Sequence, residues 1–136
     1  MRSAVDNNIL LDVLTDDRNF GERSRRAIEG ALSRGKVVIC EQVFAELAAA
    51  FDGEGDLLES FLDDAGINLD PCTRESYLMT GRIWRRAGRR KHPRRVLPDF
   101  IVGAHAWNQA DCLLTRDRGF YRKCFDGIRI VDPSSI

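Results

Sequence analysis

Long apolar runs, a secretory leader and closely spaced cysteines are all missing from this sequence. No apolar run approaches the ~20 residues that cross a bilayer, and the first residues lack the order of a signal peptide. We therefore expect a cytoplasmic protein with no membrane partner. The four cysteines have no C-x-x-C spacing, which argues against a zinc site, a redox dithiol or a disulfide framework. Cys40 and Cys112 fall in strand-like runs and are interpreted as small buried hydrophobes.

Histidine is also scarce, and the charges are unevenly distributed. The net charge is zero, with 21 basic and 21 acidic residues. Residues 82–95 nevertheless contain eight bases and no acid, which leaves the rest of the chain acidic. Such a run can be a solvated helix face that continues into a loop. Because no acid is interleaved to neutralise it, we predict that this segment faces an anionic partner.

Strand-like and helical patterns alternate along the chain. Short apolar runs are followed by amphipathic or alanine-rich segments, which predicts an α/β fold with a mainly parallel sheet and helices on both faces. The length of 136 residues corresponds to one domain, 1–136. Residues 117–121 are interpreted as a turn and residues 132–135 as a tail. The five predicted strands cover residues 3–6, 37–40, 67–69, 110–115 and 127–131. The predicted helices cover residues 9–14, 22–34, 41–51, 56–65, 73–88 and 99–107.

Four acids stand where a parallel sheet would gather them. Asp6 ends the first predicted strand, and Asp117 follows the fourth. Glu46 lies on the helix after the second strand, and Asp99 begins the helix before the fourth. Ligands of such sheets collect beyond the carboxyl ends of the strands. Asp99 could instead serve only as a cap, and Glu46 could sit at the edge of the core. The remaining candidates are interpreted as surface or turn residues: Asp12, Asp111, Asp126 and Asp132.

Four neighbouring carboxylates repel one another unless cations compensate them. Ligands that are all oxygen favour Mg²⁺ or Mn²⁺ over zinc, and His92 and His105 form no cluster with the cysteines. Carboxylate-held Mg²⁺ suits phosphodiester hydrolysis. The basic segment would then hold the phosphate backbone of the substrate. The bases predicted to do so are Arg89, Arg90, Lys91, Arg94 and Arg95.

Four short motifs resemble those of PIN-domain ribonucleases, and most closely the VapC-like toxins of bacterial toxin–antitoxin pairs. They are VDNNILL at 5–11, FAEL at 44–47, LPDFIVGAHA at 97–106 and LTRD at 114–117. The resemblance covers essentially the whole chain, in order. It implies the PIN-like three-layer α/β/α fold with a five-stranded sheet and a Mg²⁺- or Mn²⁺-dependent endoribonuclease. It also implies a VapB-like antitoxin that fills the active-site groove, and a homodimer.

The resemblance also assigns roles to individual residues. Asp6, Glu46, Asp99 and Asp117 would be the catalytic, metal-binding acids. Thr115 and Asn8 match the supporting polar positions of the last and first motifs. Asn7 departs from the family, which usually has Thr or Ser there. Because an amide can still donate to Asp6, we expect little loss.

Three alternatives remain open from the sequence. A haloacid-dehalogenase-type phosphatase needs a second Asp two residues after the first, where this chain has Asn8. A phosphoacceptor receiver domain needs a lysine near its last strands, and Lys123 is the only late lysine. The third alternative is a catalytically inactive domain that binds RNA or another protein. A nuclease assay with a divalent-metal titration would separate the last alternative from an enzyme.

Overall fold

A computed structural model of the chain describes residues 1–88 and 97–135. Its centre is a five-stranded sheet with the order β3-β2-β1-β4-β5, in which each of the four pairings is parallel. The predicted α/β class with a parallel sheet is confirmed. The strands are β1 (Arg2–Val5), β2 (Lys36–Ile39), β3 (Ile67–Leu69), β4 (Cys112–Leu114) and β5 (Ile130–Val131).

Helices connect the strands and cover both faces of the sheet. No helix of the described ranges is long and apolar enough to cross a membrane. The helices are α1 (Asn7–Leu14), α2 (Gly21–Arg34), α3 (Glu41–Ala50), α4 (Gly55–Ala65), α5 (Arg74–Ile83), α6 (Leu97–Gln109) and α7 (Arg118–Cys124). A π-helical turn, Trp84–Gly88, continues α5, and a 3₁₀ turn, Pro133–Ser135, follows β5.

Two segments differ from the prediction because aromatic and acidic side chains are buried there. The predicted turn after Asp117 is α7, whose Phe120 and Tyr121 are buried. The predicted tail folds back as the 3₁₀ turn, with Asp132 and Pro133 buried. Neither segment has a long apolar period, because Gly119 and charged residues interrupt the first and the second is only four residues long.

The core is formed by the central strands and by aromatic rings beneath α6. The side chains of β1, β2 and β4 are almost all buried, as expected for strands covered on both faces. Phe100 and Phe120 pack edge to face, with ring centroids 5.1 Å apart. Gly103 permits close packing of α6, because a Cβ there would overlap the ring of Phe125. The start of α6, which carries Asp99, is therefore packed closely against α7.

Candidate functional site

Asp6 occupies the junction between β1 and α1. Its extended backbone makes it the N-cap of α1, and one carboxylate oxygen accepts a 2.8 Å hydrogen bond from the backbone N–H of Asn7. The other oxygen accepts hydrogen bonds from the hydroxyls of Thr115, at 2.8 Å, and Tyr121, at 3.2 Å. Asp6 is thus both a helix cap and a carboxylate held at the carboxyl edge of the sheet.

Thr115 connects this carboxylate to the end of β4. Its buried hydroxyl donates to Asp6 and accepts the backbone N–H of Asp117 at 3.0 Å. The side-chain nitrogen of Asn8 lies 3.3 Å from the same hydroxyl. The side-chain oxygen of Asn8 accepts a hydrogen bond from the backbone N–H of Arg116 at 3.4 Å. Thr115 and Asn8 therefore join the first and last motifs.

Tyr121 is a residue of this network that the sequence analysis missed. The side chain is buried, and its hydroxyl donates to Asp6. Burial raises the pKa of Tyr121 well above its ordinary value, and the charges of Asp6, Asp99 and Asp117 add to this effect. The hydroxyl consequently stays protonated and remains a donor. The three acids lie close enough to affect the pKa of one buried hydroxyl, although three separate segments of the chain supply the acids and the tyrosine.

Crowding also changes the acid–base behaviour of Asp6. Burial raises the pKa of Asp6, and the nearby charge of Asp99 raises it further. Hydrogen bonds from Thr115, Asn7 and Tyr121 oppose this rise. The carboxylate is therefore held in place by donors while its charge is disfavoured by its surroundings, which is the environment of a site suited to a cation.

Glu46 lies at the exposed rim of the same edge. Val43 and Leu47 turn inward from α3 and are buried, whereas Glu46 is exposed. The apolar neighbours along the sequence therefore do not enclose its carboxylate. The side-chain amide of Asn7 is 3.5 Å from Glu46, and that of Gln42 is 3.2 Å away. The side-chain amide of Asn7 thus donates to Glu46, and only its backbone N–H donates to Asp6. The expectation that the side-chain amide would donate to Asp6 is therefore corrected.

We call Asp6, Glu46, Asp99 and Asp117 the acid cluster. Its donor atoms are carboxylate oxygens, which suit a hard divalent cation such as Mg²⁺ or Mn²⁺. The side-chain oxygen of Asn7 is buried without a hydrogen-bond partner among the described residues, and so offers one more oxygen beside Glu46. Within residues 1–88 and 97–135, no three of the four acids bring oxygens within 4.8 Å of one another. As these side chains stand, at most two of the four carboxylates could contact one ion directly, and water would supply the remaining ligands of a bound Mg²⁺.

Asp12 corrects the interpretation that it is a surface or turn residue. The side chain is buried and forms two hydrogen bonds with the Arg116 guanidinium, at 2.8 and 2.9 Å. Ser24, also buried, donates to the same carboxylate at 2.7 Å, and Arg116 stacks 4.2 Å from the ring centre of Phe20. Because Arg116 lies between Thr115 and Asp117, this ion pair anchors the last motif to α1.

Two cysteines separated in sequence lie together at a second place on the same edge. In the described ranges, one group of three histidine, cysteine, aspartate or glutamate residues has all its ligand atoms within 4.8 Å of one another. It consists of Cys40, Glu41 and Cys72. We call them the cysteine cluster. Sequence spacing could not reveal it, because 31 residues separate the two cysteines.

The basic residues predicted to bind RNA lie outside the described residues. This applies to Arg89, Arg90, Lys91, Arg94 and Arg95. Their role stays a prediction. The described part of the basic segment ends in the π-helical turn, where Arg85 and Arg86 are exposed.

The architecture and the acid cluster define an α/β protein with carboxylates gathered at the carboxyl edge of a parallel sheet. The family model of the PIN domain matches residues 4–126. The chain therefore belongs to the PIN domain family. A comparison with curated protein sequences gives no match.

Solved structures with the same fold include several toxin–antitoxin complexes. A chain of VapBC-1 from nontypeable Haemophilus influenzae is similar with a TM-score of 0.77 and 16% identity, over 98% of this chain and 99% of that one. A chain of VapBC2 from Rickettsia felis, bound to a promoter DNA fragment, has a TM-score of 0.72 and 15% identity, over 97% of this chain and 98% of that one. A chain of a toxin–antitoxin complex from Klebsiella pneumoniae has a TM-score of 0.62 and 20% identity, over 96% of this chain and 97% of that one. At these identities the likeness establishes the fold.

Proposed function

We propose that this chain is a single-domain endoribonuclease that depends on Mg²⁺ or Mn²⁺ and acts as the toxin of a toxin–antitoxin pair. The observation that carries the proposal is the network around Asp6, in which Thr115 and Tyr121 hold its carboxylate beside Asp99 and Asp117. Membership of the PIN domain family supports it. The fold shared with VapBC chains supports the toxin assignment.

Asp6, Asp99, Asp117 and Glu46 would hold the metal ion. When bound, a divalent ion lowers the pKa of a water nucleophile and offsets charge on a scissile phosphate. The residues of the chain would do the rest. Thr115 and Tyr121 orient Asp6, and Asn7 and Gln42 restrain the more exposed Glu46. Catalysis would therefore depend mainly on positioning and electrostatics.

We further propose a VapB-like antitoxin as the protein partner and a homodimer as the oligomer. The VapBC chains of the same fold support an antitoxin partner, and the family resemblance implies that this partner would cover the acid cluster. Cys40, Cys72 and Cys112 are free thiols, which is consistent with the cytoplasmic setting that this proposal includes. Size-exclusion chromatography with light scattering would test the dimer, and co-expression with the neighbouring reading frame would test the antitoxin.

The central experiment is a metal titration of RNA cleavage by the purified chain. Wild type should cleave RNA only when Mg²⁺ or Mn²⁺ is added. Asp99→Asn and Asp6→Asn keep the size of the side chain but remove a ligand charge, and each should abolish cleavage. The expected loss exceeds the roughly 10–100-fold cost of removing a residue that only supports a ligand. Asp64→Asn, on the exposed face of α4, is the matched control and should keep full activity.

Three outcomes would contradict the proposal. Full activity in Asp6→Asn or Asp99→Asn would exclude the acid cluster from the reaction. A wild-type chain that binds RNA without cleaving it at any metal concentration would favour the inactive binding domain. Metal-dependent hydrolysis of a phosphate monoester without RNA cleavage would instead favour a phosphatase.

A further inference from the structure

The register between two parallel strands brings the residues of the cysteine cluster together. Ile39 of β2 pairs with Leu69 of β3, so both strands end at the same level. Cys40 follows β2 directly as the residue before α3, and Cys72 lies three residues beyond β3. Parallel strands thus bring together two thiols that are far apart in sequence. The cluster lies at the β2–β3 end of the sheet edge, whereas Asp6 and Thr115 follow β1 and β4.

The three side chains form a partly buried, preassembled set of ligands. Cys40 is 1% exposed, and Glu41 and Cys72 are half-buried. The backbone N–H of Cys72 donates to both carboxylate oxygens of Glu41, at 2.9 and 3.2 Å. This bond fixes the loop after β3 against the start of α3. One thiol is therefore enclosed by the core while the carboxylate and the second thiol face the solvent side.

The electrostatics of the cluster show where its protons reside. The thiol of Cys72 donates towards Cys40, which lowers the pKa of Cys40, and the first backbone amides of α3 lower it further. The same interaction, with burial and the Glu41 carboxylate, raises the pKa of Cys72. Without a cation, the Cys72 thiol is thus the donor and the Cys40 sulfur the acceptor of this hydrogen bond. A divalent cation would displace its proton.

We propose that Cys40, Glu41 and Cys72 form a zinc site separate from the acid cluster. Two sulfur ligands and one carboxylate select Zn²⁺ over Mg²⁺, because Mg²⁺ prefers an all-oxygen shell. In a tetrahedral zinc site the ligand atoms lie roughly 3–4 Å apart, given bonds of about 2.0–2.3 Å. Ligand atoms that already lie within 4.8 Å of one another need only small adjustments to reach that geometry. Zinc binding releases the protons of both thiols to the solvent, and water completes the four ligands.

The test measures zinc content and thiolate ligation in the full-length chain. Each protein is purified with a non-thiol reductant, loaded with Zn²⁺, and dialysed against excess Mg²⁺. Wild type should retain one zinc ion per chain by elemental analysis. Loading with Co²⁺ instead should produce the near-ultraviolet sulfur-to-metal charge-transfer band. Cys72→Ser should lose both signals, with zinc affinity reduced at least by the roughly 10–100-fold that loss of a supporting residue costs.

Matched variants distinguish this zinc site from zinc bound elsewhere on the chain. Cys124→Ser, on α7 and outside the cluster, should retain the zinc and the charge-transfer band. Glu41→Gln removes the carboxylate without touching a thiol and should weaken zinc binding. Asp99→Asn should leave zinc content unchanged, because the acid cluster is a different site. Failure of the ribonuclease proposal would not alter any of these results.

Four results would overturn the zinc site. A reduced wild-type chain that retains no zinc after dialysis would do so. So would zinc that survives in both Cys72→Ser and Glu41→Gln, or zinc that is lost in Asp99→Asn. A Cys40–Cys72 disulfide found by mass spectrometry in the unreduced protein, with no zinc bound after reduction, would show a redox pair in place of a metal site.

Discussion

The acid cluster and the cysteine cluster occupy one edge of the same sheet, but their donors differ. The acid cluster follows β1 and β4 and offers oxygen, with the Asp6 carboxylate oriented by Thr115 and Tyr121. The cysteine cluster follows β2 and β3 and offers two sulfurs with one carboxylate. The difference teaches that topology brings ligands together, whereas side-chain chemistry decides which cation they suit.

The largest expected effect concerns the ion pair that supports only the acid cluster. Asp12→Ala leaves the Arg116 guanidinium without its buried partner and should lower the free energy of unfolding by about 3 kcal/mol. Urea unfolding, monitored by fluorescence, measures this change. Zinc retention in the folded variant should not change.

A double-mutant cycle with Arg116→Ala provides the control for Asp12→Ala. If the two side chains act as a pair, the double variant should lose less stability than the sum of the single variants. Additive losses would mean that Asp12 and Arg116 contribute independently. Loss of zinc in the folded Asp12→Ala variant would show that the two ends of the sheet edge are coupled.

Thr115→Val removes the hydroxyl that orients Asp6. RNA cleavage should fall by roughly 10–100-fold, because the carboxylate loses a supporting partner while all four acids remain. Steady-state cleavage assays at saturating Mg²⁺ measure the fall. Thr80→Val is the matched control, since the Thr80 hydroxyl is also buried but bonds the backbone carbonyl of Ser76. Equal cleavage rates for Thr115→Val and Thr80→Val would show that the Thr115 hydroxyl has no role in RNA cleavage.

Charge reversal in the basic segment tests whether RNA binding depends on residues outside the acid cluster. Arg94→Glu with Arg95→Glu should weaken RNA binding and reduce its salt dependence by about 0.7 for each phosphate of a single strand that the variant no longer neutralises. Binding isotherms at several salt concentrations measure the slope. The control is Arg25→Glu with Arg26→Glu, which reverses the same charge on the exposed face of α2. Identical slopes in both double variants would leave the segment without a role in RNA binding.

The smallest expected effect is on the pH dependence of stability. The pKa of Asp6 is raised in the folded state, so the folded chain binds more protons than the unfolded chain between the two pKa values. With a chelator present, this contribution to the free energy of unfolding is greatest below the ordinary Asp value of about 3.9 and is lost as the pH rises through the raised pKa.

Asp6→Asn should lack this contribution, so its stability relative to wild type should improve as the pH rises. Urea unfolding of both proteins across that pH range, with Asp64→Asn as the control, measures the trend. Mg²⁺ at neutral pH should then stabilise wild type more than Asp6→Asn. A stability difference that stays constant with pH would contradict the raised pKa.

Local signals in the sequence determined the fold class and the positions of the acids. Short β-branched runs such as residues 37–39 predict buried parallel strands, and the alternation with helices predicts the α/β class. The places of Asp6, Glu46, Asp99 and Asp117 next to predicted strands lead us to expect these acids at one edge of the sheet. Their role in catalysis stays a prediction. These inferences succeed because strand and helix periodicity is encoded within a few residues.

Tertiary structure alone decided the partners of side chains that are distant in sequence. Arg116 meets Asp12, Tyr121 meets Asp6, and Cys40 meets Cys72, because strand register and helix packing set which segments lie side by side. Glu46 is exposed for the same reason, since the rotation of α3 against the sheet buries Val43 instead. Composition and spacing carry no information about such contacts, which arise only when the sheet assembles.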